Sequence, residues 1–152
     1  GCVGLRRVHI GDLNSWRASD VGGEYANPLN YAHDLYLSGV LVKVVTVPAE
    51  QLLVKAYAFA GSSFRRVVMA EGMRAIRAFA FYGCSSLESV VIPDSVTSIG
   101  HSAFYGCRCL ESVVIPDRVT SMRMHTIPGC RDCHPVARSY SVSGLGVSPS
   151  VM

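Results

Sequence analysis

Apolar residues recur along this chain in the spacing L-x-x-L-x-L four times: Val42, Val45 and Val47; Phe64, Val67 and Met69; Leu87, Val90 and Ile92; Leu110, Val113 and Ile115. The steps between these sets are 22, 23 and 23 residues. The last two copies are nearly identical: AFYGCSSLESVVIPDSVTSIGHS, which starts at Ala80, is followed in register by AFYGCRCLESVVIPDRVTSMRMH, which starts at Ala103. Tandem self-similarity at such a period means coils that stack on one another, each too small to bury its own apolar side alone. Period-2 alternation over the apolar set predicts a strand, with Val90 and Ile92 inward and Ser89 and Val91 outward. Between strands each coil supplies a second inward set, such as Val96, Ile99, Ala103, Phe104 and Cys107, while Pro93, Gly100 and Gly106 sit where the path must turn. The pattern predicts an α/β solenoid of about four coils, each with one parallel strand and a short helical or 3₁₀ return limb.

The flanks lack this pattern. Within residues 1–40, Val8 to Ile10 predict a short strand, and Asp12 precedes LNSWRAS as an N-cap precedes a helix, with Trp16 on its apolar side. Gly22-Gly23 and Asn27-Pro28 are turn signals. Ser38-Gly39 between two apolar runs predicts a tight hairpin whose second arm leads into the first coil. An open solenoid end exposes apolar surface and an unpaired strand edge, so this small α+β module is the candidate for a cap-like unit ahead of the repeats at 41–130. After Cys130 the pattern fades, and residues 131–152, rich in Ser and Gly, are expected to be degenerate or loose.

Composition narrows the function classes. With 152 residues, 49% hydrophobic and 16% charged, the chain suits one domain. Twelve Arg and two Lys against 11 acids give a net charge of +3, dispersed along the sequence, which does not favour nucleic acid as a partner. No apolar run approaches the ~18–20 residues of a membrane span, so no membrane insertion of this segment is expected. No signal peptide is visible after Gly1, and the chain is expected to be a piece of something longer.

The phrase IPDSVTSIGxxAFxGCxxLxSVxIP, matched almost completely from Phe81 to Thr120 and more loosely from Val42 to Met69, closely resembles the BspA-like leucine-rich repeats of bacterial and protozoan surface proteins. The segment from Val8 to Pro48, with DLxxW and YANPLxYAHxLYLSGxLV, resembles the non-repeat module that separates repeat blocks in such proteins. The resemblance implies a right-handed leucine-rich solenoid outside the cell or at its surface. It also implies a non-catalytic adhesion or protein-binding role, with extracellular host or microbial proteins as partners.

Alternation along the strands places three rows on the outward side. They are Val44, Arg66, Ser89 and Ser112; Thr46, Val68, Val91 and Val114; and, at the margin, Lys43, Arg65, Glu88 and Glu111. A valine ladder flanked by Ser and charge is the candidate recognition strip, through Arg66, Val68, Glu88, Ser89, Val91, Glu111, Ser112 and Val114. The opposing reading is that valine suits either face of a strand and that the segment is a structural spacer without its own ligand.

Cys130-Arg-Asp-Cys133-His134 spells the c-type haem pattern C-x-x-C-H, and Cys107, Cys109, Cys130 and Cys133 are formal zinc ligands. Cys84, Cys107 and Cys130, however, recur at the repeat period and are first packing residues. No cofactor is expected. The five His are dispersed, and Asp94 and Asp117 are copies of one turn position, so no catalytic constellation is expected.

Overall fold

A computed structural model describes residues 4–18, 23, 26–110, 112–122, 126 and 139–141. The N-terminal module holds β1 (Arg7–Ile10), α1 (Leu13–Ala18), α2 (Leu29–Ala32), β2 (Asp34–Leu37) and β3 (Val40–Leu41). Asp12 caps α1: its Oδ1 accepts the backbone N–H of Ser15 at 2.9 Å and its Oδ2 accepts the Ser15 hydroxyl at 2.5 Å. β1 pairs in parallel with β2 across the two helices, and β2 pairs antiparallel with β3. The β2–β3 turn places Ser38 and Gly39 at φ 49° and 82°, the left-handed pair that a two-residue hairpin demands.

The repeats form two parallel ladders. The expected strands are β4 (Val44–Val47), β6 (Arg66–Met69) and β8 (Ser89–Val91), in one three-stranded parallel sheet. β10 (Ser112–Val114) lies beside β8 and pairs antiparallel with β12 (Ser139–Ser141), with Val113 opposite Tyr140. The second ladder replaces the expected helical or 3₁₀ limb. It consists of the two-residue strands β5 (Leu53–Val54), β7 (Ala75–Ile76), β9 (Ser98–Ile99) and β11 (Ser121–Met122), all parallel. β5, β7 and β9 are each followed by overlapping turns with i→i+3 bonds, as from Ala60 N–H to Tyr57 and from Ser62 N–H to Phe59. Among the described residues, helix is confined to the N-terminal module. Stacking coils must pair the backbone of both limbs, and a strand does this where a helix would turn its hydrogen bonds inward on itself.

Between the ladders lies the core. Phe59, Phe81 and Phe104 are buried one above another, with ring centroids 5.5 and 5.4 Å apart and planes at 16° and 0°. Phe64 meets Phe59 edge-on at 5.6 Å. Leu87, Leu110, Val54, Ile76 and Ile99 fill the space around this stack. One ring per coil thus stands at a separation favourable for stacked aromatics.

In the second ladder backbone bonds run back to the preceding coil, as from Arg77 N–H to Val54 and from Gly100 N–H to Ile76, whereas in the turns that follow it they run from each coil to the next. Phe59 N–H donates to Ala80 at 2.9 Å and Gly61 N–H to Tyr82 at 2.7 Å; one coil on, Phe81 N–H donates to Ala103 and Gly83 N–H to Tyr105. The first coil therefore presents carbonyls with no preceding coil to satisfy them, and N-terminal side chains take that place. The Trp16 indole N–H donates to Ala58 at 3.1 Å, and the Asn27 amide donates to Tyr57 at 2.7 Å and Ala60 at 3.2 Å. The His33 Nδ1 donates to Gly61 at 2.6 Å, which fixes the tautomer because a carbonyl can only accept. Asn27 is fully buried and its oxygen accepts from Leu29 N–H, so every polar atom of its amide has work in the seam. At Gly61, with φ 76°, a Cβ would stand 2.7 Å from the Asn30 Cα, and only glycine permits this approach.

Candidate functional site

The register of the first ladder brings together the expected outward rows. Arg66 lies between Val44 and Ser89, and Val68 between Thr46 and Val91. The inward partners Val45, Val67 and Val90 are buried, which fixes the opposite side as the open one. Val44, Val91 and Val114 are 55%, 44% and 64% exposed, three of the six large apolar side chains left open to water among the described residues. At the margin Arg65 and Glu88 form an exposed ion pair at 3.5 Å. Of Ser112 the backbone alone is described, and Glu111 lies outside the described residues. This is a mixed apolar and charged strip with geometry for contact over an area.

The cysteine column has a structural explanation. The Cys84 thiol donates to the Phe59 carbonyl at 3.1 Å, and the Cys107 thiol donates to the Phe81 carbonyl at 3.2 Å, so each thiol reaches back one coil. Because Cys84 donates there, the Ser62 hydroxyl at 3.2 Å is the donor to its sulfur. Serine, cysteine and cysteine thus fill one position in three coils, each small enough to sit beside a Phe ring and each carrying a donor. The hydrogen bond with Cys84, together with burial, pushes the Cys107 thiol far above its ordinary value and keeps it protonated. Cys109 is exposed while Cys107 is buried, so the two point to different environments. Cys130, Cys133 and His134, and with them the haem-like and zinc-like patterns, lie outside the described residues. Among the described residues no group of three His, Cys, Asp or Glu gathers in metal-binding geometry.

A second concave feature was not anticipated. On the outer side of the second ladder a groove of about 430 Å³ is lined by Ala56, Arg77, Ala78, Ser98, Gly100 and His101, among others. Its floor is Gly100, where an added Cβ would lie 2.3 Å from the Ala78 backbone nitrogen. The signal for it is present in the repeat arithmetic: the position of Lys55 and Arg77 becomes glycine in the next coil, so the backbone there approaches the neighbouring coil closely.

Comparison with known proteins agrees with this architecture. The solved structure of a T. pallidum leucine-rich repeat protein superposes with a TM-score of 0.51 at 28% identity, over 59% of this chain and 49% of that one. The chain thus spans about half the length of that relative. No curated protein matches. The family described as BspA type leucine rich repeat region, in six copies, matches residues 40–147. With more than two-thirds of its length so matched, and with in-register parallel coils around a stacked phenylalanine core, the chain belongs to the BspA-type leucine-rich repeat family.

Proposed function

We propose that this chain is a protein-recognition segment of a surface or secreted leucine-rich repeat protein, and that a protein partner outside the cell docks on its first ladder. Arg66, Val68, Ser89, Val91 and Val114 form the centre of the docking strip, with Glu88, Glu111 and Ser112 at its rim. The observation that carries the reading is the exposed apolar strip of the first ladder: Val91 and Val114 in the valine row, and Val44 in the row beside it, stay open on a surface whose register the buried face makes rigid. A pre-ordered strip loses little entropy on binding, and apolar area beside Arg and Glu suits a protein interface with an apolar centre and a polar rim. Family membership supports the same reading, since such repeats commonly bind proteins and are typically found on surfaces or in secreted chains. The repeat fold is generally a non-enzymatic scaffold, and no helix among the described residues is long and apolar enough to cross a membrane.

The test is binding of the full chain, measured by surface plasmon resonance, to a panel of purified extracellular host and microbial proteins. Val91→Glu combined with Val114→Glu is expected to abolish binding while leaving the melting temperature unchanged, because both side chains already face water. Undiminished binding by this double variant would place the site elsewhere. No binding by the parent chain across the panel would favour a structural spacer.

A further inference from the structure

The parallel order of the first ladder breaks at its C-terminal end. β4, β6 and β8 follow one another in register, Val44 beside Arg66 beside Ser89, and β10 lies beside β8. One period of 23 residues after Ser112 and Ile115, however, the sequence has Pro135 and Arg138. The N–H groups of Arg66 and Ser89 donate back to Lys43 and Arg65, each at 3.2 Å, and a proline in that phase has no N–H to give. An arginine in the phase of the buried Ile115 would bring a charge to the core. The neighbour that β10 takes is not the strand the period calls for. It is β12, antiparallel, with Ser112 opposite Ser141, Val113 opposite Tyr140 and Val114 opposite Ser139. A strand running that way cannot hand on a parallel stack.

Beneath β12 lies an edge suited to pairing. The buried Val113 and Ile115 fix β10 against the core, so its outer edge presents backbone donors and acceptors at set positions, the template on which another chain adds as a strand. β12 covers this Ser-Val-Val strand with Ser-Tyr-Ser, and β12 pairs with β10 alone among the described strands. The edge then left open has no β-branched residue and is the poorer template. The seating of β12 also shows which direction the edge accepts. A second copy related by a two-fold axis presents its own β10 in that antiparallel direction, whereas a further coil of the same stack would present a parallel strand.

We propose that the outer edge of β10 is a strand-addition surface for a second copy of this chain, and that β12 is the built-in cover that keeps it shut. With β12 seated the protein is a monomer. When β12 leaves, two β10 strands pair antiparallel about Val113, and the two coil stacks join end to end. The contact is the same patch on both copies, so association stops at a dimer. The edge is distinct from the valine strip on the outward side of the ladder, and the proposal stands whether or not that strip binds anything.

Sedimentation velocity of the full chain tests it, with a thiol reductant present so that the exposed Cys109 does not cross-link copies. Ser139→Pro combined with Tyr140→Pro opens the edge: successive N–H groups of a strand point to opposite sides, so one of the two prolines removes a donor to β10 whichever way the strand is presented. The parent is expected to sediment as a monomer and the double variant with twice that mass, reverting to monomer on dilution. In a mixture of isotope-labelled and unlabelled copies of the variant, filtered NOEs are expected from the Val113 N–H of one copy to β10 of the other. Retention of the cooperative melting transition verifies that the coils fold. A variant that stays monomeric, a parent that is already a dimer, or association without the Val113 contacts overturns the proposal. Loss of the melting transition in the variant also overturns it, by making β12 a part of the coil stack and not a cover over it.

Discussion

The two sides of the first coil solve one problem by different means. Toward the second coil, the return limb is held by repeated backbone bonds such as Phe59 N–H to Ala80 and Gly61 N–H to Tyr82. Toward the N-terminus, the equivalent carbonyls of Ala58 and Ala60 accept from the side chains of Trp16 and Asn27, and that of Gly61 from His33. A backbone donor is present whatever the residue type, proline apart, so the interior seam tolerates sequence change at the bonding positions. A side-chain donor exists only if one residue type is kept, so the N-terminal seam is specific and fragile. The interior seam depends instead on the size and shape of what lies between its bonds, above all the phenylalanine stack.

This contrast can be broken by substitution. Phe81→Ala removes the middle ring, which contacts Phe59 and Phe104, and leaves a cavity shared by neighbouring coils. The expected loss is about 3–5 kcal/mol in chemical denaturation, enough to unfold a marginal repeat stack. Asn27→Ala removes the side-chain donor to the carbonyls of Ala60 and Tyr57 and the acceptor of the Leu29 N–H, while Tyr57 keeps its turn bond from Ala60 N–H. A loss of about 1–3 kcal/mol is expected there, concentrated in the N-terminal module and first coil when followed by hydrogen exchange. Trp16→Phe keeps an aromatic ring and deletes the indole donor to Ala58, so the expected loss is about 1 kcal/mol. If Trp16→Phe were as damaging as Phe81→Ala, the indole would matter through packing and the contrast would fail.

What could be read from the chain follows the same division. Strand positions, inward residues and outward rows were legible because steps of 22 and 23 residues place like over like, and the observed pairing of Val44 with Arg66 and of Arg66 with Ser89 follows that arithmetic. The Ser38-Gly39 hairpin and the Asp12 cap were legible because their chemistry is local. The second ladder was not, since two-residue strands such as Ala75–Ile76 are too short to show alternation and their turn-rich continuation suggests a tight helix. In the sequence Asn27 reads as a turn signal alone, because its partners Tyr57 and Ala60 lie 30 and 33 residues away, with no pattern to connect them. The groove was hidden for a related reason: its lining comes from residues about 22 positions apart, such as Ala56, Ala78 and His101, with no local pattern to join them.

The central claim is that side chains of the N-terminal module donate the hydrogen bonds that a preceding coil would otherwise supply. Scalar couplings transmitted across hydrogen bonds, measured by NMR on uniformly labelled protein, test it most directly. The account predicts correlations from the Trp16 indole nitrogen to the Ala58 carbonyl carbon and from the Asn27 amide nitrogen to that of Tyr57, alongside the interior correlation from Phe59 to Ala80. Detection of the interior correlation without either N-terminal one would contradict it.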